Sequence, residues 1–190
     1  MSTLSTNAII PVTGTTVTIG ESGDTITCGG TASNFGGGKV LQVQETRKID
    51  TFTTSSSQTV VDITGLSVNI TPSATSSSVL VFGQVNSGAT TGDGVMRLYR
   101  DSTNIGQATD YGTTPITGIT GFGQHRNQYE LSTGSFVYLD TAISTTSQVT
   151  YKISLFQAGA NTWYINRPHN LGGSENERVS SSITVIEIGV

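Results

Sequence analysis

Val79-Leu80-Val81-Phe82-Gly83-Gln84-Val85 is nearly continuous in apolar residues and only seven residues long. That is the length of a strand rather than a helix, and β-branched and aromatic side chains dominate it. It reads as a strand buried on both faces. Outward from it, the same period-2 pattern recurs. Val40-Leu41-Gln42-Val43 begins a run that continues towards Ile49 and Phe52. Val61, Ile63, Val68 and Ile70 mark the next, and Met96, Leu98 and Tyr99 another. Then come Tyr129 to Asp140, Val149 to Phe156, Trp163 to Ile165 and Ile183 to Ile188. No window of about 11 or more residues carries a clear 3.6-residue period. Ala, Leu, Glu and Lys are sparse, while Thr, Val and Ile abound.

Turn clusters separate the runs: Asn86-Ser87-Gly88, Gly92-Asp93-Gly94, Asp101-Ser102-Thr103-Asn104, Ser132-Thr133-Gly134 and Ala158-Gly159-Ala160-Asn161. Roughly eight strands over about 150 residues predict an all-β, antiparallel, two-sheet jelly roll. The segment 108–128 is long, rich in Gly and Thr and weakly patterned, as loops that are functional or partly disordered usually are.

The 190-residue chain is long enough for one sizeable domain, or for a smaller one with an appendage. Charged residues are only 12%, with a net charge of −4. The densest basic spot is Arg47-Lys48, so there is no stripe to neutralise phosphates, and nucleic acid is not an expected partner. No apolar run approaches the ~18–20 residues of a membrane span, so no membrane insertion is expected. MSTLSTNAIIPV lacks the charge and apolar stretch of a secretory signal, which predicts folding in a cytoplasm. Cys28 is the lone cysteine, which excludes an intrachain disulfide and a multi-cysteine metal site.

Composition shifts at Asn34-Phe35-Gly36-Gly37-Gly38, dividing an N-terminal arm (1–38) from a main domain (39–190). Within the arm, Val17 and Ile26 are nine residues apart, and so are Ile19 and Cys28. Each step offers too few apolar positions for a core of its own. Three copies around an axis could place Val17, Ile19, Ile26 and Cys28 inside as trimer packing. A plain extended arm, or an extra hairpin of the main domain, is the other reading.

Chemistry is sparse. His125 and His169 are the only histidines, and neither has a second ligand at metal-like spacing. No nucleophile elbow, phosphate loop or dinucleotide fingerprint occurs. Asp93, Asp101, Asp110 and Glu130 lie in or beside loops and read as turn carboxylates rather than a glycosidase pair. The expectation is no enzyme, no cofactor and no metal. Trp163, Tyr164, Arg167 and His169 cluster near a glycine-containing loop. Aromatic faces beside polar donors suit sugar rings, making Trp163, Tyr164 and His169 candidate receptor contacts. The rival reading makes this segment structural, with Asn166-Arg167 bracing an interface. Loops at 86–94, 108–128 and 158–178 would carry any contact.

The stretch GKVLQVQETRKIDTFTTSSSQTVVDITGLSVNITPSATSSSVLVFGQVNSG resembles the start of the globular head in fibre-type virion proteins of tailed phages, notably those of marine bacteria. MRLYRDSTNIG, SFVYLDTAISTTSQVTYKISL and SSITVIEIGV extend the likeness, and GTTVTIGESGDTIT is similar to the repeat-like segments upstream of such heads. The resemblance implies a homotrimer with a tumour-necrosis-factor-like jelly-roll head on the virion. It also implies contact with other virion proteins through the arm, and with a host surface glycan or protein. Only about 35 residues precede the head, which suits a short fibre, knob or appendage. The family supplies no receptor motif that transfers residue by residue. Two other roles stay open: a purely architectural capsid decoration, and a polysaccharide-degrading fibre head.

Overall fold

The computed structural model describes residues 39–109, 116–122, 125, 127–171 and 177–189. Residues 1–38, including Val17, Ile19, Ile26 and Cys28, lie outside the described residues, as do Asp110 and 172–176. Among the described residues every regular element is a β-strand. The strands are β1 (Lys39–Lys48), β2 (Phe52–Thr54), β3 (Val61–Ile70), β4 (Ser78–Ala89), β5 (Gly94–Arg100) and β6 (Thr103–Ile105). They continue as β7 (Thr120–Gly121), β8 (Ser132–Asp140), β9 (Val149–Gln157), β10 (Trp163–Ile165) and β11 (Ser181–Gly189).

They form two antiparallel sheets. In the first, β4 is central. β8 pairs along one edge of β4, while β11 and then β10 share the other. Beyond these lie β1, paired with β11, and β2, paired with β10. In the second sheet the order is β3–β9–β5, with β6 and β7 along the remaining edge of β5. The result is a β-sandwich-like fold.

Period-2 alternation sends one side of each strand inward. β4 contributes Val79, Val81 and Val85 to the core, and β11 contributes Ile183 and Val185. Facing them are Leu66, Val68 and Ile70 of β3, Met96 and Leu98 of β5, and Tyr151, Ile153 and Leu155 of β9. Phe136 of β8 lies over Gly83, where any side chain would overlap its ring.

Buried polar groups tie the strands together. Asn166, fully buried, follows β10 with φ of 67°, a left-handed conformation that asparagine tolerates better than most residues. Its amide nitrogen donates to the Lys48 and Asp50 carbonyls, and its side-chain oxygen accepts from the Ser181 hydroxyl at 2.6 Å. Its backbone N–H donates to the Asn86 carbonyl. One residue thus joins β1, β4 and β11. Buried Glu187 on β11 accepts from Gln42, from the Ser73 N–H and hydroxyl, and from Ser77.

Three expectations are corrected. Asn86-Ser87-Gly88 and Ser132-Thr133-Gly134 are not turns but opposed stretches of β4 and β8, with Asn86 facing Thr133 and Ser87 facing Ser132. Pairing partners override turn preference there. Thr103-Asn104 likewise belongs to β6, leaving Asp101-Ser102 as the turn. The run from Val40 does not continue unbroken to Phe52: it stops at Lys48, and Ile49 is 79% exposed.

Candidate functional site

Lys39 pairs with Gly189, and Ile188 faces Ser78, so the chain enters the sandwich at the Ser78 end of β4. Three connections converge at the opposite end. The Thr90 N–H donates to the Thr162 carbonyl at 3.1 Å, and Gly92 bridges to His125. The Asn170 N–H donates to the Gln128 carbonyl at 2.9 Å. The β4–β5 turn, the segment before β8 and the segment around β10 therefore share one end. These are the three loops that sequence singled out.

Their support comes from below. Trp163 is 0% exposed, inward-facing on β10, with its ring 5.4 Å from Phe122 and 5.1 Å from the edge-on His125. Gly94 lies against it, where a Cβ would come within 2.7 Å of the indole. Its face is closed to a sugar, so Trp163 is a core residue rather than a receptor contact. His125 is also fully buried. Burial pushes its pKa below the ordinary value, outweighing the upward pull of Glu130, and keeps the imidazole neutral.

Tyr164 and His169 do come together, on the other side of β10. The Arg167 guanidinium lies 3.9 Å from the Tyr164 ring centre, and the His169 ring is 5.2 Å away. Arg167 Nη1 also donates to the carbonyls of Pro168 and His169. This segment folds over Gly88, where a Cβ would sit 2.6 Å from the Pro168 Cα. It forms a self-stacked strap across the outer side of the first sheet. Tyr164 and His169 are half-buried in it.

Among the described residues, the aromatic side chain that the loop end does present is Tyr129, 42% exposed, with its hydroxyl accepting from the Asn170 amide at 3.2 Å. Sequence placed Tyr129 at the start of a strand. The signal that it stands in a loop was the polar Asn127-Gln128 just before it. Glu130 lies at this end too. Asp101 lies at the other, where its carboxylate accepts from the Thr150 N–H. Among the described turn carboxylates, Asp93 and Glu130 therefore share one end and Asp101 lies at the other. Among the described residues no group of three His, Cys, Asp or Glu could hold a metal ion.

The outer faces of the two sheets differ. On the second, Asp62, Ser154 and Arg97 lie in one row, and Ser67, Lys152 and Tyr99 in the next. Lys152 is 2.7 Å from the Asp62 carboxylate, and Arg97 lies 4.2 Å from the Phe156 ring centre. On the first sheet the rows are Leu139–Leu80–Ile186–Val43, then Val137–Phe82–Thr184–Glu45, then Ser135–Gln84–Ser182–Arg47. Ser78, Ile188 and Val40 extend the apolar end. Val137 is 63% and Val43 53% exposed, and a shallow groove of about 430 Å³ runs between Phe82, Val137, Gln84 and Ser182. β4, expected to be buried on both faces, buries one within this chain and shows Leu80 and Phe82 on the other.

No protein-family model matches the chain, and no curated protein matches it.

Proposed function

We propose that this chain is a structural virion protein: a homotrimeric jelly-roll head of a fibre or appendage, which attaches the particle to a host surface. The strand order supports the jelly roll. Counting end-to-end strands as one, the sheets run 1-8-3-6 and 2-7-4-5 in chain order. Two Greek keys wound together give this order, an architecture used by capsid and lectin domains. The observation that carries attachment is the convergence of three loops at the end remote from Lys39. A head tethered through its N-terminal arm presents that end outward. Loops there can vary without disturbing the core. Three weak sites on one trimer reinforce one another, because the second and third contacts are intramolecular.

The test is adsorption. Purified full-length protein should bind host cells and compete with the virus for them. Tyr129→Ala should weaken binding several-fold while leaving the melting temperature unchanged, since the ring is exposed. Protein that neither binds cells nor competes at high concentration overturns the attachment role. The purely architectural decoration then takes its place.

A further inference from the structure

The geometry points to the outer face of β8–β4–β11–β1 as the contact between copies of this chain. This inference rests on the homo-oligomeric reading above and names the surface that reading leaves open. An antiparallel sheet with one solvated face alternates apolar-in, polar-out. The second sheet keeps mostly to this: outside, Asp62 is paired with Lys152, and Phe156 beside Val95 is covered by Arg97. The first is apolar on both sides at its Lys39 end, through Val43, Leu80, Phe82, Val137, Leu139, and Ile186. Four strands ~4.8 Å apart and three rows ~6.8 Å apart cover on the order of 400 Å², and these six side chains make about half of it apolar. Contiguous apolar patches of about this size on a chain's surface are often functional. A stable contact buries about 800 Å² per partner, with an apolar centre and a polar rim. The patch fits the centre. Ser135, Gln84, Ser182, Glu45 and Arg47 fit the rim.

A second observation lies on the same element. Among the described residues β8 pairs only with β4. Nine residues long, it carries no Lys, Arg or Pro to blunt its free edge, and its one charge is the buried Asp140. Such an edge invites another strand unless a neighbour covers it. Open face and open edge meet along β8, so one neighbour can cover both.

The occupant that fits is a second copy. Within the three rows the only charges are Glu45 and Arg47, of opposite sign and on adjacent rows. The face has no net charge with which to select a charged foreign partner, and it meets a copy of itself without forced like-charge contact.

The experiment is sedimentation of the full chain and of Val137→Glu/Leu139→Glu. Both side chains are exposed in the single chain, at 63% and 48%, so the substitutions leave its fold intact. Wild type should sediment at three times the 19.8 kDa chain mass, and the double variant at that of one chain, with the same circular dichroism spectrum. Asn69→Glu, on the outer face of the second sheet, should change nothing. A wild-type monomer overturns both this inference and the oligomeric reading. An oligomeric wild type with an equally oligomeric variant overturns only the face. Wild-type dimers dissociated by the variant uphold the face and replace the trimer. Should the double variant misfold, hydroxyl-radical footprinting of wild type decides: protection of Val137 and Leu139 upholds the contact, and free labelling overturns it.

Discussion

Arg100 Nη1 lies 2.8 Å from both carboxylate oxygens of Asp140 and so ties the last residue of β5, in one sheet, to the last of β8, in the other. The Tyr151 hydroxyl donates to the same carboxylate at 2.8 Å. Asp140 is 2% exposed, and its charge is compensated by Arg100, by Tyr151 and by the Ala142 N–H at 3.1 Å.

Asp140→Ala removes the acceptor, leaves the Tyr151 hydroxyl without its partner and leaves Arg100 with the Ala142 carbonyl alone. Breaking a buried pair from one side costs about 3–5 kcal/mol; Arg100 retains some solvent, which favours the lower end. Tyr151→Phe, which keeps the ion pair, should cost about 1.5–3 kcal/mol. Urea unfolding of the two variants measures the difference. Burial, then the bond to Asp140 and its charge, holds the Tyr151 phenol protonated well above the ordinary value of 10.0. The unfolded chain ionises there first. The contribution of Tyr151 should therefore be complete below pH 10 and be lost as pH rises beyond it, so that stability falls there less steeply in Tyr151→Phe.

Glu187 sets an acid limit. Burial pushes its carboxyl up, but bonds from Gln42, Ser77 and Ser73 outweigh burial and leave it below the ordinary 4.5. Its contribution is complete above that value. It is lost as pH falls through 4.5 towards the lower folded value, because the unfolded chain takes up the proton first. Glu187→Gln should lower the urea midpoint at pH 7, at a cost of about 1–3 kcal/mol. It should also flatten the decline between about pH 5 and 3. An unchanged slope in the variant would show that other carboxylates govern acid unfolding.

Gly88→Ala should lift the strap. A methyl at Gly88 meets backbone at 2.6 Å, which cannot be relieved by turning a side chain. Overpacking of this kind costs about 1–3 kcal/mol. Hydrogen exchange should quicken first at Asn166 and Asn170, whose N–H groups bond to the Asn86 and Gln128 carbonyls. A global loss of protection with no local excess would refute the strap as a separate unit.

The long strands were legible because apolar alternation is local: Val149–Phe156 and Ile183–Ile188 lie within β9 and β11. Of the short strands, β10 showed through its apolar Trp163 and Ile165, while β2, β6 and β7 did not, since they lack such a pair and exist only through their partners. Leu80 and Phe82 show a second limit. Their pattern says that both sides of β4 avoid water, but not whether the cover comes from the same chain. Trp163 and Tyr164 show a third. Adjacent strand residues face opposite ways, so one entered the core and the other the strap, and only the register against Ala89 and Gly88 decides which. Tyr129 was obscured by its nearness to β8.

The pairing of Lys39 with Gly189 gives the domain a mechanical direction. β1 holds β11 through nine paired positions, from Lys39–Gly189 to Lys48–Ser181. Pulled apart at Lys39 and Gly189, the two strands would peel from one end, breaking a bond or two at a time. Pulled between Lys39 and the loops at the far end, they slide along their length, and hydrogen bonds perpendicular to the strands resist together. Under the attachment role proposed above, tension between Lys39 and the far loops would run along this second, stronger line.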